Sequence, residues 1–262
     1  MSTLKSFLLL SCSGLLLASC ADSTGPKNSQ RVNFAFSGVR ASSAPALRDG
    51  LMASVVPGPG DSLVIVNGTD TLIITKVEVV ARKIRLKGAE STDCDESTQL
   101  SDCEELMLDA RLIRLPLAPG VSTPVGVDVP NGTYSGFDIH IHKPTSSSGD
   151  VVFLATNPTW PSSTSVRVTG YRRGVAFTFT SDVVFKIDQR FSPPLVIGVG
   201  ETTNLTIRID VASWFRSGAS GALIDPATAG NGGANRNVVE QNIRNSVRAF
   251  RDNDQDGDES DG

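Results

Sequence analysis

Histidine, tryptophan and tyrosine are scarce in this chain, at two residues each in 262, and cysteine stands at four. Of the cysteines, Cys94 and Cys103 form a pair with no histidine near them in sequence, which falls short of a zinc set. The two-Trp, two-Tyr inventory leaves little for a carbohydrate platform, which stacks sugars on several aromatic faces. No apolar run approaches the roughly 20 residues a membrane-spanning helix requires. There is no G-x-S-x-G, H-E-x-x-H or Walker loop, and no cysteine spare for a Cys–His pair, so the common hydrolase and nucleotide signatures are absent. A basic excess is lacking too, with 24 Lys+Arg against 28 Asp+Glu, which speaks against nucleic acid as a partner.

What is present begins with an address. Residues 1–19 carry one cation, Lys5, then an apolar stretch from Phe7 to Leu17, and close on Leu17-Ala18-Ser19-Cys20. The stretch suits the core of a signal peptide. A cysteine directly after a small residue, with Leu three positions before it, resembles the lipobox of bacterial lipoproteins. That resemblance implies diacylglyceryl attachment at Cys20 and cleavage before it. Two or more acyl chains give stable membrane attachment where one does not. Residues 20–30 (CADSTGPKNSQ) read as a tether. Ala21 in place of Asp, by analogy with lipoprotein sorting, points to the outer membrane.

Loss of residues 1–19 removes only Lys5, leaving 23 basic and 28 acidic side chains. Six of those acids fall in the last eleven residues, so the body itself is nearly neutral. Cys94 and Cys103 bracket a polar stretch in a chain bound for an oxidising compartment, and a disulfide between them is expected. It would restrain the unfolded chain by roughly 2–3 kcal/mol.

Alternation then dominates from residue 31 to about 210: Val32, Phe34, Phe36; Val125, Val127, Val129; Phe137, Ile139, Ile141; Leu205, Ile207, Ile209. Period two with Val, Ile, Thr and Phe marks strands having one buried face. Turn signals separate them at Asn67-Gly68, Pro119-Gly120, Asn131-Gly132 and Arg173-Gly174. With no helices between, the expected fold is mainly β, an antiparallel Greek-key β-sandwich spanning residues 61–216. Residues 31–60 hold a first strand and an Ala/Ser/Pro/Gly-rich linker. Residues 71–87 form one long β run, bent near Arg82-Lys83. Tyr134 can serve as a tyrosine corner.

Residues 217–236 read as a Gly-rich loop and 237–251 as a C-terminal amphipathic helix. Val239, Ile243, Val247 and Phe250 form its stripe, Asn237 its cap, Glu240 the capping-box partner, and Glu240–Arg244 an (i, i+4) pair. Residues 252–262 are an acidic tail.

The run Thr75-Lys76-Val77-Glu78-Val79-Val80, then Val129-Pro130-Asn131-Gly132-Thr133-Tyr134, then Ile209-Asp210-Val211-Ala212 resembles a bacterial lipoprotein domain of unknown function. The likeness covers roughly residues 70–215. It implies a transthyretin-like or immunoglobulin-like sandwich and no activity.

Three places offer chemistry. Asp252, Asp254 and Asp256, with Gly257 and Asp258, follow the start of a calcium loop: hard oxygens at positions 1, 3 and 5, then a glycine turn. The bidentate ligand at position 12 falls past residue 262, so calcium binding would be weak, and a solvated acidic tail is the other reading. Asp138, His140 and His142 alternate on one strand and share a face. Two imidazoles at that spacing can chelate a transition metal, but alternation alone also predicts three side chains facing water. Trp160, between Pro158 and Pro161, is either a sugar platform or packing. The leading expectation is a membrane-anchored envelope lipoprotein with a non-enzymatic binding or scaffolding sandwich. Its partner would be the membrane through its lipid, with an envelope protein or glycan as ligand. The alternatives are a metal-dependent hydrolase on His140 and His142, or a carbohydrate-binding module on Trp160.

Overall fold

The structure is a computed structural model that describes residues 29–38, 53–57, 61–88, 103–107, 109–118, 123–199, 203–218 and 221–253. The expected signal peptide, Cys20, Cys94 and the tail beyond Asn253 lie outside those residues. In chain order the strands are β1 (Ser29–Ser37), β2 (Ala53–Pro57), β3 (Leu63–Asn67), β4 (Asp70–Gly88), β5 (Cys103–Met107), β6 (Arg111–Leu115), β7 (Thr123–Pro130) and β8 (Gly132–Ile141). Helix α1 (Val151–Thr156) follows, then β9 (Val166–Arg172), β10 (Val175–Ser181), β11 (Phe185–Ile197), β12 (Thr203–Ile209), β13 (Arg216–Ser217) and β14 (Ala222–Leu223). Helix α2 (Arg236–Asn245) and β15 (Val247–Arg251) close the described chain.

As expected, the architecture is mainly β with antiparallel sheets. One sheet has the order β15-β12-β1-β7. The second is built on the long strand β4, flanked by β3 and β2 on one side and by β9 and β10 on the other, with β5, β6 and the β8–β11 pair joining its length. A parallel pairing of β1 with β12 is the departure from strict antiparallel order. The core lies where alternation put it: Val32, Phe34 and Phe36 of β1, with Phe137, Ile139 and Ile141 of β8, are all at most 2 % exposed. Burial of each such side chain stabilises the fold by roughly 1.5–3 kcal/mol.

Two local devices shape this frame. The long strand bends where the sequence placed the break: Lys83 has φ 54°, and the pairing of β4 with β8 shifts between Arg82 and Arg85. The extra residue switches faces, so Val77, Val79 and Ala81 before it, and Ile84 and Leu86 after it, all reach the core. At the other device, β7 leaves one sheet and β8 enters the other within one residue. The Tyr134 hydroxyl donates to the Pro130 carbonyl at 2.9 Å across that corner. Ser29 pairs with Pro130, so the segment leading back to Cys20 departs at this same end.

The C-terminal helix is shorter than its apolar stripe suggested. It ends at Asn245, and Val247–Arg251 is a strand paired with β12. Val247 and Ala249 alternate as strand residues do, and both are buried. What decides is β12, whose seven residues are all buried and whose open edge needs hydrogen-bond partners. Asn235, not Asn237, takes the cap position, and without a side-chain cap bond. Glu240 completes no capping box: it accepts from Arg236 Nε at 2.8 Å and from Ser181 at 3.1 Å, fastening the helix to β10. The Gly-rich stretch is also structured, with the β13–β14 ladder, a 3-10 turn at Pro226–Thr228 and Ile224 and Ala229 in the core. Residues 53–57 of the supposed linker form an edge strand on β3, and Ser29 and Gln30 of the supposed tether already belong to β1.

Candidate functional site

The outer face of β4, β8 and β11 collects the titratable side chains. His140 stands between Arg82 and Lys186 in register, and Asp138 between Arg85 and Asp188. Alternation places Asp138 and His140 opposite the core-facing Phe137 and Ile139, yet Asp138 is fully buried. Its carboxylate lies 3.4 Å from Lys186 Nζ and 3.8 Å from His140 Nε2. Burial raises the Asp138 carboxyl above the usual carboxylate range, with Lys186 and Arg85 offsetting part of that rise. Burial also depresses the His140 imidazole, to about 4, and Lys83, Lys186 and Arg85 depress it further. Lys87 and Asp188 pair across the same face.

His142 has a different partner. Its Nε2 lies 2.8 Å from Asp150 Oδ2, and the same oxygen accepts the Thr145 amide at 2.8 Å, the Thr145 hydroxyl at 3.1 Å and the Ser147 hydroxyl at 3.0 Å. Burial pulls the Asp150 carboxyl upward, but these donors, led by His142, outweigh it and hold the group below its ordinary value. Asp150 therefore organises the loop between β8 and α1. The two hydroxyls are spent on the carboxylate, and among the described residues none is hydrogen-bonded to the imidazole.

Asp138, His140 and His142 thus do not form a metal set. Among the described residues no group of three or more His, Cys, Asp or Glu is placed to hold one ion. The cations Lys83, Arg85 and Lys186 that depress His140 oppose a metal cation by the same repulsion.

Trp160 is packing. It is 8 % exposed, its ring N–H donates to the Thr164 carbonyl at 2.8 Å, Arg167 lies 4.5 Å over one face, and Phe153 meets it edge-on. No face is left for a sugar. The same Arg167 makes two bonds of 2.7 Å to Glu78, a carboxylate only 1 % exposed that also draws Arg114 and Lys76.

Asp252, first of the supposed calcium ligands, is also turned inward. It is 1 % exposed, and its Oδ2 accepts the Thr206 hydroxyl at 2.6 Å. It ends the β12–β15 ladder as a structural acceptor, while Asp254, Asp256 and Asp258 lie outside the described residues. Cys103 opens β5, and its expected partner Cys94 is likewise outside them.

The open site is elsewhere. At the seam where β11 meets α2 and β15, a groove of about 550 Å³ is lined by Phe185, Ile187, Asp188, Arg244, Asn245 and Arg248, among others. Gln189 holds the seam together, donating to the Ala249 carbonyl at 2.7 Å and accepting its N–H at 2.8 Å. The Arg244 guanidinium stacks 4.9 Å from the Phe185 ring and donates to the Val184 carbonyl. Arg248 donates to the carbonyls of Val247 and Asn245. Neither arginine has a carboxylate within 4.0 Å among the described residues. A smaller notch of about 210 Å³, lined by Arg208, Asp210, Ser213, Asn242 and Ser246, adjoins the groove through Asn245 and Arg248. Sequence pattern marks none of this, and it cast Arg244 as the (i, i+4) partner of Glu240, which pairs with Arg236 instead.

No family model matches the chain, and no curated protein matches it either. Among solved structures it is similar to MbnP from Methylosinus trichosporium, at 15% sequence identity and a TM-score of 0.34, over 74% of this chain and 83% of that one. A likeness of that size carries no argument about family, ligand or activity, and the domain stands on its own geometry.

Proposed function

We propose that this protein is a lipid-anchored envelope lipoprotein whose β-sandwich acts by binding, without catalysis, at the groove between β11, α2 and β15. The observation that carries this reading is the contrast between closed and open polar sites. The Asp138–His140 and His142–Asp150 groups are tied into the fold, whereas the groove is open and holds preorganised cationic donors beside an aromatic wall. Such a mixture of apolar lining and a few convergent polar groups characterises ligand sites.

The position of the groove supports the reading. Ser29, where the anchor segment joins, stands at the Pro130 corner, while Ser37 at the far end of β1 pairs with Arg208, itself paired with Arg248. Eight residues of strand separate the two ends, about 26 Å at the usual rise. A body held through Cys20 thus carries its groove at the end remote from its attachment.

The anchor is tested by metabolic labelling with an alkyne fatty acid. The wild-type protein is expected to carry the label and Cys20→Ser to lose it; equal labelling of the two overturns the lipoprotein reading. A hydrolase would instead declare itself by about one tightly held zinc per chain in protein purified without chelator, lost in His140→Gln.

A further inference from the structure

The two groove arginines, Arg244 and Arg248, have no carboxylate partner among the described residues. Each guanidinium has one backbone carbonyl contact or two, which fix its direction without neutralising it. Arg248 is exposed and faces Arg208 directly across the β12–β15 ladder. Arg208 is buried with its guanidinium 5.0 Å over the Phe250 ring, so Arg248 is the member of the pair that is open to a ligand. The carboxylates of the region answer only in part: Asp188 is paired with Lys87, and Asp210 lies in the adjoining notch. Lys186, which also lines the groove, is drawn toward Asp138. The walls are not wholly polar, for Phe185, Ile187 and Val247 line the same space.

We infer that the groove binds the oxyanion of an organic acid or phosphate ester, gripped by Arg244 and Arg248, with the ligand's apolar part against Phe185 and Ile187. This rests on the groove being the binding site. Guanidinium suits the task because its planar fork matches the two oxygens of a carboxylate or phosphate, and because it stacks on aromatic faces while doing so. Arg244 is already stacked on Phe185, so a planar acid entering beside that ring would meet charge and apolar surface together.

Calorimetry and amide NMR on the full mature chain test the inference with three probes: inorganic phosphate, benzoate, and benzyl alcohol as a neutral match for benzoate. Both anions are expected to bind, to shift amides of residues 185–189 and 244–248, and to weaken with added salt. A preference for benzoate would assign the ligand to carboxylic acids, and a preference for phosphate to phosphate esters. Arg244→Gln and Arg248→Gln should each weaken binding by about tenfold, the scale of one charge-assisted hydrogen bond. Arg190→Gln, an exposed cation outside the groove, should change it less than about twofold. Should one groove variant fail to fold, the other decides. Equal affinity for benzyl alcohol and benzoate would overturn the anion assignment and leave the groove a binding site. No binding of any probe would overturn both, and equal losses in all three variants would show only diffuse surface attraction and overturn the site.

Discussion

Acidification from about pH 7 to about pH 5 probes the field around His140. In the unfolded chain this imidazole titrates near 6.5, whereas in the fold burial, followed by Lys83, Lys186, Arg85 and His142, depresses it to about 4. Between those values the unfolded state binds the proton and the native state does not, so stability falls as pH falls and levels off below about 4. The unscreened loss at pH 5 would be about 2 kcal/mol, and because the ring is partly open to solvent a loss of about 1 kcal/mol is the working figure. Comparison with a variant lacking His140 separates its contribution from those of the other titratable groups. Asp138, raised by burial, acts in the opposite direction, taking up its proton earlier in the fold than in the unfolded chain. Asp150, held low, loses its contribution only below the ordinary carboxylate range. Urea unfolding at the two pH values, for wild type and His140→Gln, measures the effect, with ring-proton NMR following the titration itself. The wild type should lose about 1 kcal/mol more than the variant over this interval. A titration midpoint above 6, or identical pH slopes for the two proteins, would refute the reasoning.

Two packing predictions follow from the same face. Glu78→Gln leaves Arg167 without its charge partner beside a buried site, and should cost ~3 kcal/mol of unfolding free energy in urea; a change below ~1 kcal/mol would mean the pair is solvated. Trp160→Ala opens a cavity between Phe153 and Arg167 and should cost about 3–5 kcal/mol in the same assay. A near-neutral result there would return Trp160 to the surface and to the sugar-platform reading.

Much of the fold was legible because alternation reports burial directly. Val32, Phe34 and Phe36, and likewise Phe137, Ile139 and Ile141, could only serve one buried face, and the structure buries them. The Arg82-Lys83 bend and the Tyr134 corner were readable for a similar reason, since each is a local device within a few residues of chain. The α2–β15 boundary was not. Val239, Ile243, Val247 and Phe250 satisfy a helix, while Val247 and Ala249 satisfy a strand, and the choice belongs to the unpaired edge of β12, which is some forty residues away in sequence.

The sites divide along the same line. That Asp138, His140 and His142 share a strand face follows from the sequence; that Asp138 is buried among cations and His142 is taken by Asp150 depends on β4, β11 and the loop folding over them. The expected address at Cys20 rests on sequence alone, since that residue lies outside the described part of the chain. The groove is the opposite case. Phe185 and Arg248 are brought together only when two sheets close at their edges, and no spacing rule encodes a contact between strands that belong to different sheets.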